Sequence, residues 1–181
     1  MPELHRVVMP GRLSHPSRWI TDATFWFYAV SLLVLSIDQG TKFWIRQVLP
    51  VGASRDMIPG VVSLTHILNT GAAFGMFPSG TAVFTIVSVG VCAGLIIWQR
   101  RLSEHSALLR LALSLELGGA LGNLVDRVIA GHVTDFIDLD TSLRFLREYP
   151  VFNVADMSLT VGAVCIVFHT MKGISHDSEH E

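Results

Sequence analysis

Four aspartates in this chain are candidates for acid–base chemistry: Asp38, Asp126, Asp135 and Asp156. When two carboxyl groups are held close together, their charges repel, so one keeps its proton while the other is ionised. The ionised group can activate a water molecule as a general base, and the protonated group can act as a general acid on an amide. The residue types alone leave open which two of the four aspartates form such a pair.

The motifs of other hydrolases and of metal sites are absent from the sequence. It contains no GxSxG motif for a serine nucleophile and no HExxH motif for zinc. The pair His132 and Asp135 is a partial metal site that lacks a third ligand. Cys92 and Cys165 lie within apolar stretches and are interpreted as small core residues. We therefore expect neither a metal ion nor another cofactor.

The elements that carry the aspartates are predicted to lie in a membrane. Of the 181 residues, 50% are hydrophobic and 15% are charged, whereas a soluble domain has about 25% charged residues. Four continuous apolar stretches are long enough to cross a bilayer as helices, and their continuity favours helices over a β-barrel. They cover residues 20–40, 81–98, 107–130 and 154–171. The net charge of −2 offers no basic surface to nucleic acid.

The flanking residues predict the orientation of these spans. Four spans place the leader, residues 1–18, and the acidic tail, residues 172–181, on the same side of the membrane. Basic residues in the leader and in the short turn between the second and third spans favour the cytoplasm for that side. These residues are Arg6, Arg12, Arg18, Arg100 and Arg101.

Polar residues of three spans are predicted to gather at the opposite, outer surface. The first span ends near Asp38, the third ends near Asn123, and the fourth begins near Asn153. Charged groups at the edge of the hydrocarbon region are costly unless they are paired or face a cavity, so this surface is a candidate functional site. Helix capping explains Asp156 taken singly. It does not explain a whole set that contains two Asn-x-x-Asp pairs, Asn123/Asp126 and Asn153/Asp156.

Five motifs in this region together resemble one known family. They are DQGTK at residues 38–42, NTGAAF at 69–74, GGALGNLVDR at 118–127, GHVTDF at 131–136 and FNVAD at 152–156. Each motif is weak evidence alone, but all five in this order closely resemble the bacterial lipoprotein signal peptidases, also called signal peptidase II. The motifs extend from Asp38 to Asp156. The predicted arrangement of four membrane spans extends the resemblance to the whole chain except the two tails.

The resemblance implies an aspartyl intramembrane peptidase whose catalytic pair is Asp135 and Asp156. It also implies residues that bind substrate or support the site. These are Asn69, Gly71, Asn123, Asn153, Arg127, Asp126, Asp38 and Lys42. Asp38 and Lys42 are four residues apart on a predicted helix and can pair directly.

The architecture implied by the resemblance is an all-α integral membrane protein that forms a single domain over residues 1–181. A small β-rich cradle around residues 61–68 would lie outside the cytoplasm, with a short periplasmic helix between Asp135 and Asn153. The substrates would be diacylglyceryl-modified prolipoproteins, cut just before the cysteine that carries the lipid. The enzyme would be a monomer among the lipids of the bacterial inner membrane, inhibited by cyclic peptides of the globomycin type.

Two acidic residues in the third span require separate interpretation. Asp126 is adjacent to Arg127, which suggests a structural ion pair. Glu116 lies in the middle of the span, where a signal peptidase II is usually apolar. It would carry the proton in an alternative function as a proton-coupled pore or transporter, although a single acid in mid-span is a sparse proton pathway. A purely structural membrane subunit is a third alternative. A pore would place its acids along the membrane depth, whereas a peptidase would place them at one level.

Overall fold

The computed structural model describes residues 16–71, 80–100 and 107–177 of the chain. Its helices are α1 (Pro16–Val48), α2 (Gly80–Gln99), α3 (Ala107–Ala130), α4 (Arg144–Arg147) and α5 (Val154–Asp177), and its strands are β1 (Ser54–Ile58), β2 (Val62–Asn69) and β3 (Val133–Asp138). Most of the predicted leader, residues 178–181 of the tail, Arg101 and residues 72–74 of the NTGAAF motif lie outside the described residues.

Four of the helices are long and apolar enough to cross a membrane, as the composition predicts. The apolar segments are Ala23–Val48, Thr81–Gln99, Ala107–Ala130 and Val154–Lys172. The first helix differs from its predicted span, because it continues beyond residue 40 to Val48. Asp38 and Lys42 therefore lie inside α1 rather than at its end. The helix can continue because Asp38 and Lys42 form an ion pair with each other and Lys42 also pairs with Asp126 of α3.

Helix α3 is the centre of the bundle, since it packs against α1, α2 and α5. The spacing of Gly118 and Gly122 predicts such close packing, and a Cβ at either position would collide with a neighbouring helix. At Gly118 it would lie 2.6 Å from Val34 Cβ, and at Gly122 it would lie 2.5 Å from Asp38 Oδ2. Gly90 and Gly94 have the same spacing in α2, yet a Cβ there would meet no described atom within 4 Å. Gly118 and Gly122 therefore let α1 pack closely against α3, whereas the glycines of α2 pack against nothing described.

A small antiparallel sheet lies at the end of the bundle where α1 and α3 finish. Its strand order is β1-β2-β3, with β2 in the centre, and β3 contacts both α1 and α3. The register shifts between Leu64 and Ile67, where β2 pairs with β3. The predicted β-rich cradle is thus confirmed as β2 with its two neighbours. The four-residue helix α4 follows β3 and occupies the place predicted for the short helix.

Candidate active site

Asp135 lies on β3 and is almost completely buried, with 2% of its surface exposed. It pairs across the sheet with Ile67 of β2, which brings it close to the end of that strand. Asn69 Nδ2 donates a hydrogen bond of 2.8 Å to Asp135 Oδ2. Asn153 Nδ2 donates one of 2.6 Å to Asp135 Oδ1. Both carboxyl oxygens therefore accept hydrogen bonds from asparagine amides.

Burial raises the pKa of Asp135 from its ordinary value to about 6. The largest cause is the loss of hydration, and the negative charge of Asp156 adds to it, while the amides of Asn69 and Asn153 and the charge of Lys42 oppose it. A carboxyl group with a pKa of about 6 carries its proton over much of the mildly acidic range. Asp135 is thus suited to donate a proton near neutral pH.

Asp156 lies in the first turn of α5 and forms a capping box with Asn153. The backbone N–H of Asp156 donates to Asn153 Oδ1 at 3.0 Å, and the backbone N–H of Asn153 donates to Asp156 Oδ2 at 3.2 Å. This reciprocal pattern stabilises the start of a helix. Asn123 Nδ2 on α3 donates a further bond of 2.8 Å to Asp156 Oδ1. The capping role considered from sequence is present, but Asp156 also accepts a hydrogen bond from Asn123 of α3.

Two asparagines connect the carboxyl groups of Asp135 and Asp156. Asn153 donates to Asp135, and it is also joined to Asp156 by two hydrogen bonds, each from the backbone N–H of one residue to the side-chain oxygen of the other. Asn123 Oδ1 accepts bonds from Lys42 Nζ at 2.9 Å and from Asn153 Nδ2 at 3.2 Å. Because its oxygen is occupied in this way, Asn123 must present its NH₂ group to Asp156. The orientation of both amides is therefore set by surrounding groups before any substrate arrives.

Asp38 and Asp126 belong instead to a buried ionic network with two cations of α1. Lys42 Nζ is 2.8 Å from Asp38 Oδ2 and 3.5 Å from Asp126 Oδ2, and Arg46 Nη2 is 2.7 Å from Asp126 Oδ1. Asp126 also accepts a bond of 2.9 Å from the backbone N–H of Thr134, which fixes the start of β3. The network joins α1, α3 and the sheet directly beneath Asp135.

The ion pair suggested between Asp126 and Arg127 does not form, because adjacent residues of a helix point in different directions. Asp126 pairs with Arg46 and Lys42. Sequence reasoning did not assign Arg46 a partner or a role in the site. The signal for it was its position four residues after Lys42, which places both cations on one face of α1.

Arg127 lies on the side of the site that faces α2. Its Nη1 donates to Ser88 Oγ at 3.3 Å, and its guanidinium carbon is 5.6 Å from the centre of the Phe84 ring. Its buried Nε has no hydrogen-bond partner among the described residues. The guanidinium thus has donor capacity left over for a group that enters the site.

Gly71 positions Asn69 in the same region. Its backbone has φ +83°, a left-handed conformation that favours glycine, and its N–H donates to Asn69 Oδ1 at 2.8 Å. A Cβ at this position would lie 2.5 Å from the Phe84 ring. Both the turn and the close contact explain why a glycine supports this part of the site.

An apolar cavity of about 390 Å³ opens beside Asp156. Its walls come from α5, from the short helix α4 and from the segments on either side of α4. The residues that bound it with Asp156 are Leu139, Leu146, Tyr149, Phe152, Met157, Thr160 and Val161. One carboxyl group in a mostly apolar wall is an arrangement suited to an extended, hydrophobic substrate.

Metal-based chemistry has no obvious site in residues 16–71, 80–100 and 107–177. No group of three or more His, Cys, Asp or Glu side chains in these ranges could hold a metal ion.

Glu116 lies against Gly162 of α5, where a Cβ would be 2.8 Å from Glu116 Oε1. It is seven residues, about 10 Å along the helix, from Asn123. Glu116 is therefore set apart from the four aspartates, which lie at one level.

A family model described as signal peptidase (SPase) II matches residues 30–172 of the chain. The chain belongs to the signal peptidase II family. Proteins of this family are proteases, so neither the pore nor the structural subunit considered above describes this chain. The match includes both aspartates of the asparagine-linked pair and all four members of the ionic network.

Curated relatives and solved structures agree with membership of the signal peptidase II family. The chain is 41% identical over 157 residues to a lipoprotein signal peptidase of Pseudomonas putida, covering 84% of this chain and 91% of that protein. It is 34% identical over 152 residues to one of Staphylococcus aureus, with the same coverage of 84% and 91%. The fold resembles a bacterial membrane enzyme solved by the in meso method at 2.3 Å resolution, with a TM-score of 0.75 and 32% identity over 87% of this chain and 92% of that one.

Proposed function

We propose that this protein removes signal peptides from diacylglyceryl-modified prolipoproteins by a two-aspartate mechanism, with Asp135 and Asp156 as the catalytic pair. One observation carries the choice among the four aspartates. Asp38 and Asp126 are neutralised by Lys42 and Arg46. Asp135 and Asp156 form no ion pair with a described residue and are joined by asparagines. A carboxylate that is ion-paired with a buried cation is a poor acid or base, whereas a carboxyl group that is hydrogen-bonded to amides can gain and lose a proton.

In the proposed mechanism, Asp156 is the general base and Asp135 is the general acid. Asp156 takes a proton from a water molecule, whose oxygen attacks the carbonyl carbon of the scissile amide, while Asp135 gives its proton to the carbonyl oxygen. In the resulting tetrahedral diol, Asp135 recovers a proton from one hydroxyl group as the C–N bond breaks. Asp156 delivers its proton to the leaving nitrogen, which restores the starting protonation of both groups.

The supporting residues have separate roles in this proposal. The amides of Asn69, Asn123 and Asn153 hold the two carboxyl groups in place. Arg127, with its unpartnered Nε, donates to a carbonyl group of the substrate backbone. Gly71 holds Asn69 in place, and Asp38, Lys42 and Asp126 hold the strand and the helix that carry the pair.

The substrate is proposed to enter from the bilayer with its hydrophobic segment in the cavity beside Asp156. The cavity is lined by Leu146, Met157 and Val161 among others, which suits the apolar residues of a signal peptide. Cleavage falls just before the lipid-bearing cysteine. The enzyme acts as a monomeric single domain in the bacterial inner membrane, with cytoplasmic termini and the site near the periplasmic face.

Incubation of the purified protein with a diacylglyceryl prolipoprotein tests this function. We expect release of the signal peptide, detected by a mass shift of the lipoprotein, and inhibition by globomycin. A chelator is expected to have no effect, since the mechanism uses no metal. The same prolipoprotein without its diacylglyceryl group is the matched control. Cleavage that needs a metal ion, or that proceeds equally well without the lipid, would contradict the proposal.

The pH dependence of cleavage follows from the raised pKa of Asp135. We expect the rate to fall as the pH rises through about 6, because Asp135 then loses the proton that it must donate.

The Asn69→Ala variant sharpens this pH prediction. The amide of Asn69 stabilises ionised Asp135, so its removal should move the falling limb of the pH profile to higher pH. Asp138→Asn is the control, because Asp138 accepts a bond from Thr65 on another part of the sheet. If the pH profile does not move in Asn69→Ala, or moves equally in both variants, a group other than Asp135 causes the fall in rate at higher pH.

A further inference from the structure

We propose that a second cavity, between the end of α1 and the β1–β2 hairpin, binds one anionic phospholipid of the surrounding membrane. The cavity has a volume of about 360 Å³, at the lower end of the range for small-molecule sites. Its main walls are Trp44 and Val48 in the last turns of α1, Leu49 directly after them, and Arg55, Met57 and Leu64 of the hairpin. It is separate from the cavity beside Asp156, with which it shares no residue.

The cavity is a fixed part of the fold because the hairpin is tied to the end of α1. The backbone N–H of Gly52 donates to His66 O at 2.8 Å, and the backbone N–H of His66 donates to Ala53 O at 3.0 Å. The His66 ring adds a hydrogen bond of 2.7 Å between its Nδ1 and Leu49 O. A ligand that enters this space therefore does not have to order the hairpin first.

The two faces of the hairpin differ in polarity. Residues paired directly across strands lie on the same face. The pairs Ser54↔Thr65 and Asp56↔Ser63 form a polar face, with hydrogen bonds of 2.8 Å between the hydroxyl groups and 3.1 Å from Ser63 Oγ to Asp56 Oδ1. Asp56 also borders the cavity, but it belongs to the polar face, where Ser63 bonds to its Oδ1. The pair Arg55↔Leu64 belongs to the other face, which has an apolar wall suited to a hydrocarbon chain.

The apolar wall continues the lipid-facing surface of the first span. That span runs to Val48, and both Trp44 and Val48 at its end are 51% exposed. Met57 on the hairpin is 56% exposed. An acyl chain from the bilayer can therefore pass along Trp44 and Val48 into the cavity without crossing a polar surface. This continuity identifies the membrane as the source of the occupant.

Arg55 specifies an anionic headgroup. Its side chain is exposed and forms no hydrogen bond or ion pair with any residue in the described ranges. Arg46, which follows Trp44 by two residues, already forms an ion pair with Asp126 and a hydrogen bond to Thr134. An unpaired guanidinium beside an apolar cavity at the membrane edge complements a phosphate that is attached to hydrocarbon chains.

Lipid binding to the full-length protein in detergent tests this inference by native mass spectrometry. We expect phosphatidylglycerol to bind more tightly than phosphatidylcholine, with one molecule retained per chain. Arg55→Gln should weaken phosphatidylglycerol binding about fivefold and leave phosphatidylcholine binding unchanged. Arg147→Gln is the matched control, because it removes an exposed arginine from α4, outside the cavity. Arg147→Gln should bind both lipids as the wild type does.

Three outcomes would overturn the inference. They are equal binding of the two lipids, equal loss in both arginine variants, and an Arg55→Gln variant that loses affinity for a diacylglyceryl lipobox peptide instead of phosphatidylglycerol. The third outcome would make the cavity part of the substrate site. Cleavage by Arg55→Gln in lipid-free detergent should match the wild type, since Arg55 contacts neither Asp135 nor Asp156. The lipid site and the proposed catalytic function can thus fail independently.

Discussion

Asp135→Asn and Asp156→Asn should each reduce prolipoprotein cleavage by about a thousandfold or more, without unfolding the protein. Asparagine keeps the size of the side chain but can neither accept a proton from water nor donate one to the substrate, and such proton transfers contribute roughly 10²–10⁴ in rate each. The measurement is single-turnover cleavage of a diacylglyceryl prolipoprotein by each purified variant. Thermal unfolding in the same detergent shows whether the fold is retained.

Asp138→Asn is the control for these two variants. Asp138 lies on the same strand as Asp135 and accepts a bond of 2.7 Å from Thr65 Oγ1, so its substitution tests the loss of a nearby carboxylate. We expect it to retain most of the activity. Near-normal cleavage by Asp135→Asn or Asp156→Asn would remove that residue from the mechanism, and a comparable loss in Asp138→Asn would mean that the acidic group had been chosen wrongly.

Asp126→Asn should produce the largest loss of stability, about 3–5 kcal/mol in the free energy of unfolding. Asp126 is 2% exposed and lies within 4 Å of two cations. Among the described residues, the substitution leaves Asp38 as the one carboxylate paired with these two cations. It also weakens the bond from the backbone of Thr134 that fixes β3. Denaturant or thermal unfolding in detergent measures the effect, and cleavage should fall with it because Asp135 follows Thr134.

Glu116→Gln is the matched control, since it makes the same change of carboxyl to amide within the same helix. No ion pair involves Glu116 among the described residues, and its side chain contacts Gly162 instead of the ionic network. We expect its stability and activity to stay close to those of the wild type. Equal destabilisation by the two variants would show that charge removal from α3, rather than the network around Asp126, causes the loss.

The spans were predictable from sequence because an apolar run of about 20 residues has few alternatives to a membrane helix. The predicted stretches at residues 81–98 and 107–130 correspond closely to the helical segments Thr81–Gln99 and Ala107–Ala130. The end of α1 was not predictable in this way. Charges at Lys42 and Arg46 resemble the edge of a span, and their neutralising partner, Asp126, is about 80 residues away in sequence.

Residue types and spacing also could not select the catalytic pair. All four aspartates lie near the same surface, and the two Asn-x-x-Asp pairs have identical spacing. The structure distinguishes them, since Asn153 and Asp156 form a capping box at the start of α5, whereas Asn123 and Asp126 lie within α3 and face different partners. The choice made from family resemblance remains a prediction, and the difference between cation-bound and amide-bound aspartates gives it a physical reason.

The bond from Asp38 to the last helix has a consequence for how the enzyme matures. Asp38 Oδ1, on the first helix to be synthesised, accepts a hydrogen bond of 2.9 Å from the backbone N–H of Ala155. That residue immediately precedes Asp156 on the last helix. The two candidate catalytic groups therefore come together only after the final span has been inserted and has docked against the first. A chain in which α5 has not yet docked against α1 therefore lacks the assembled pair.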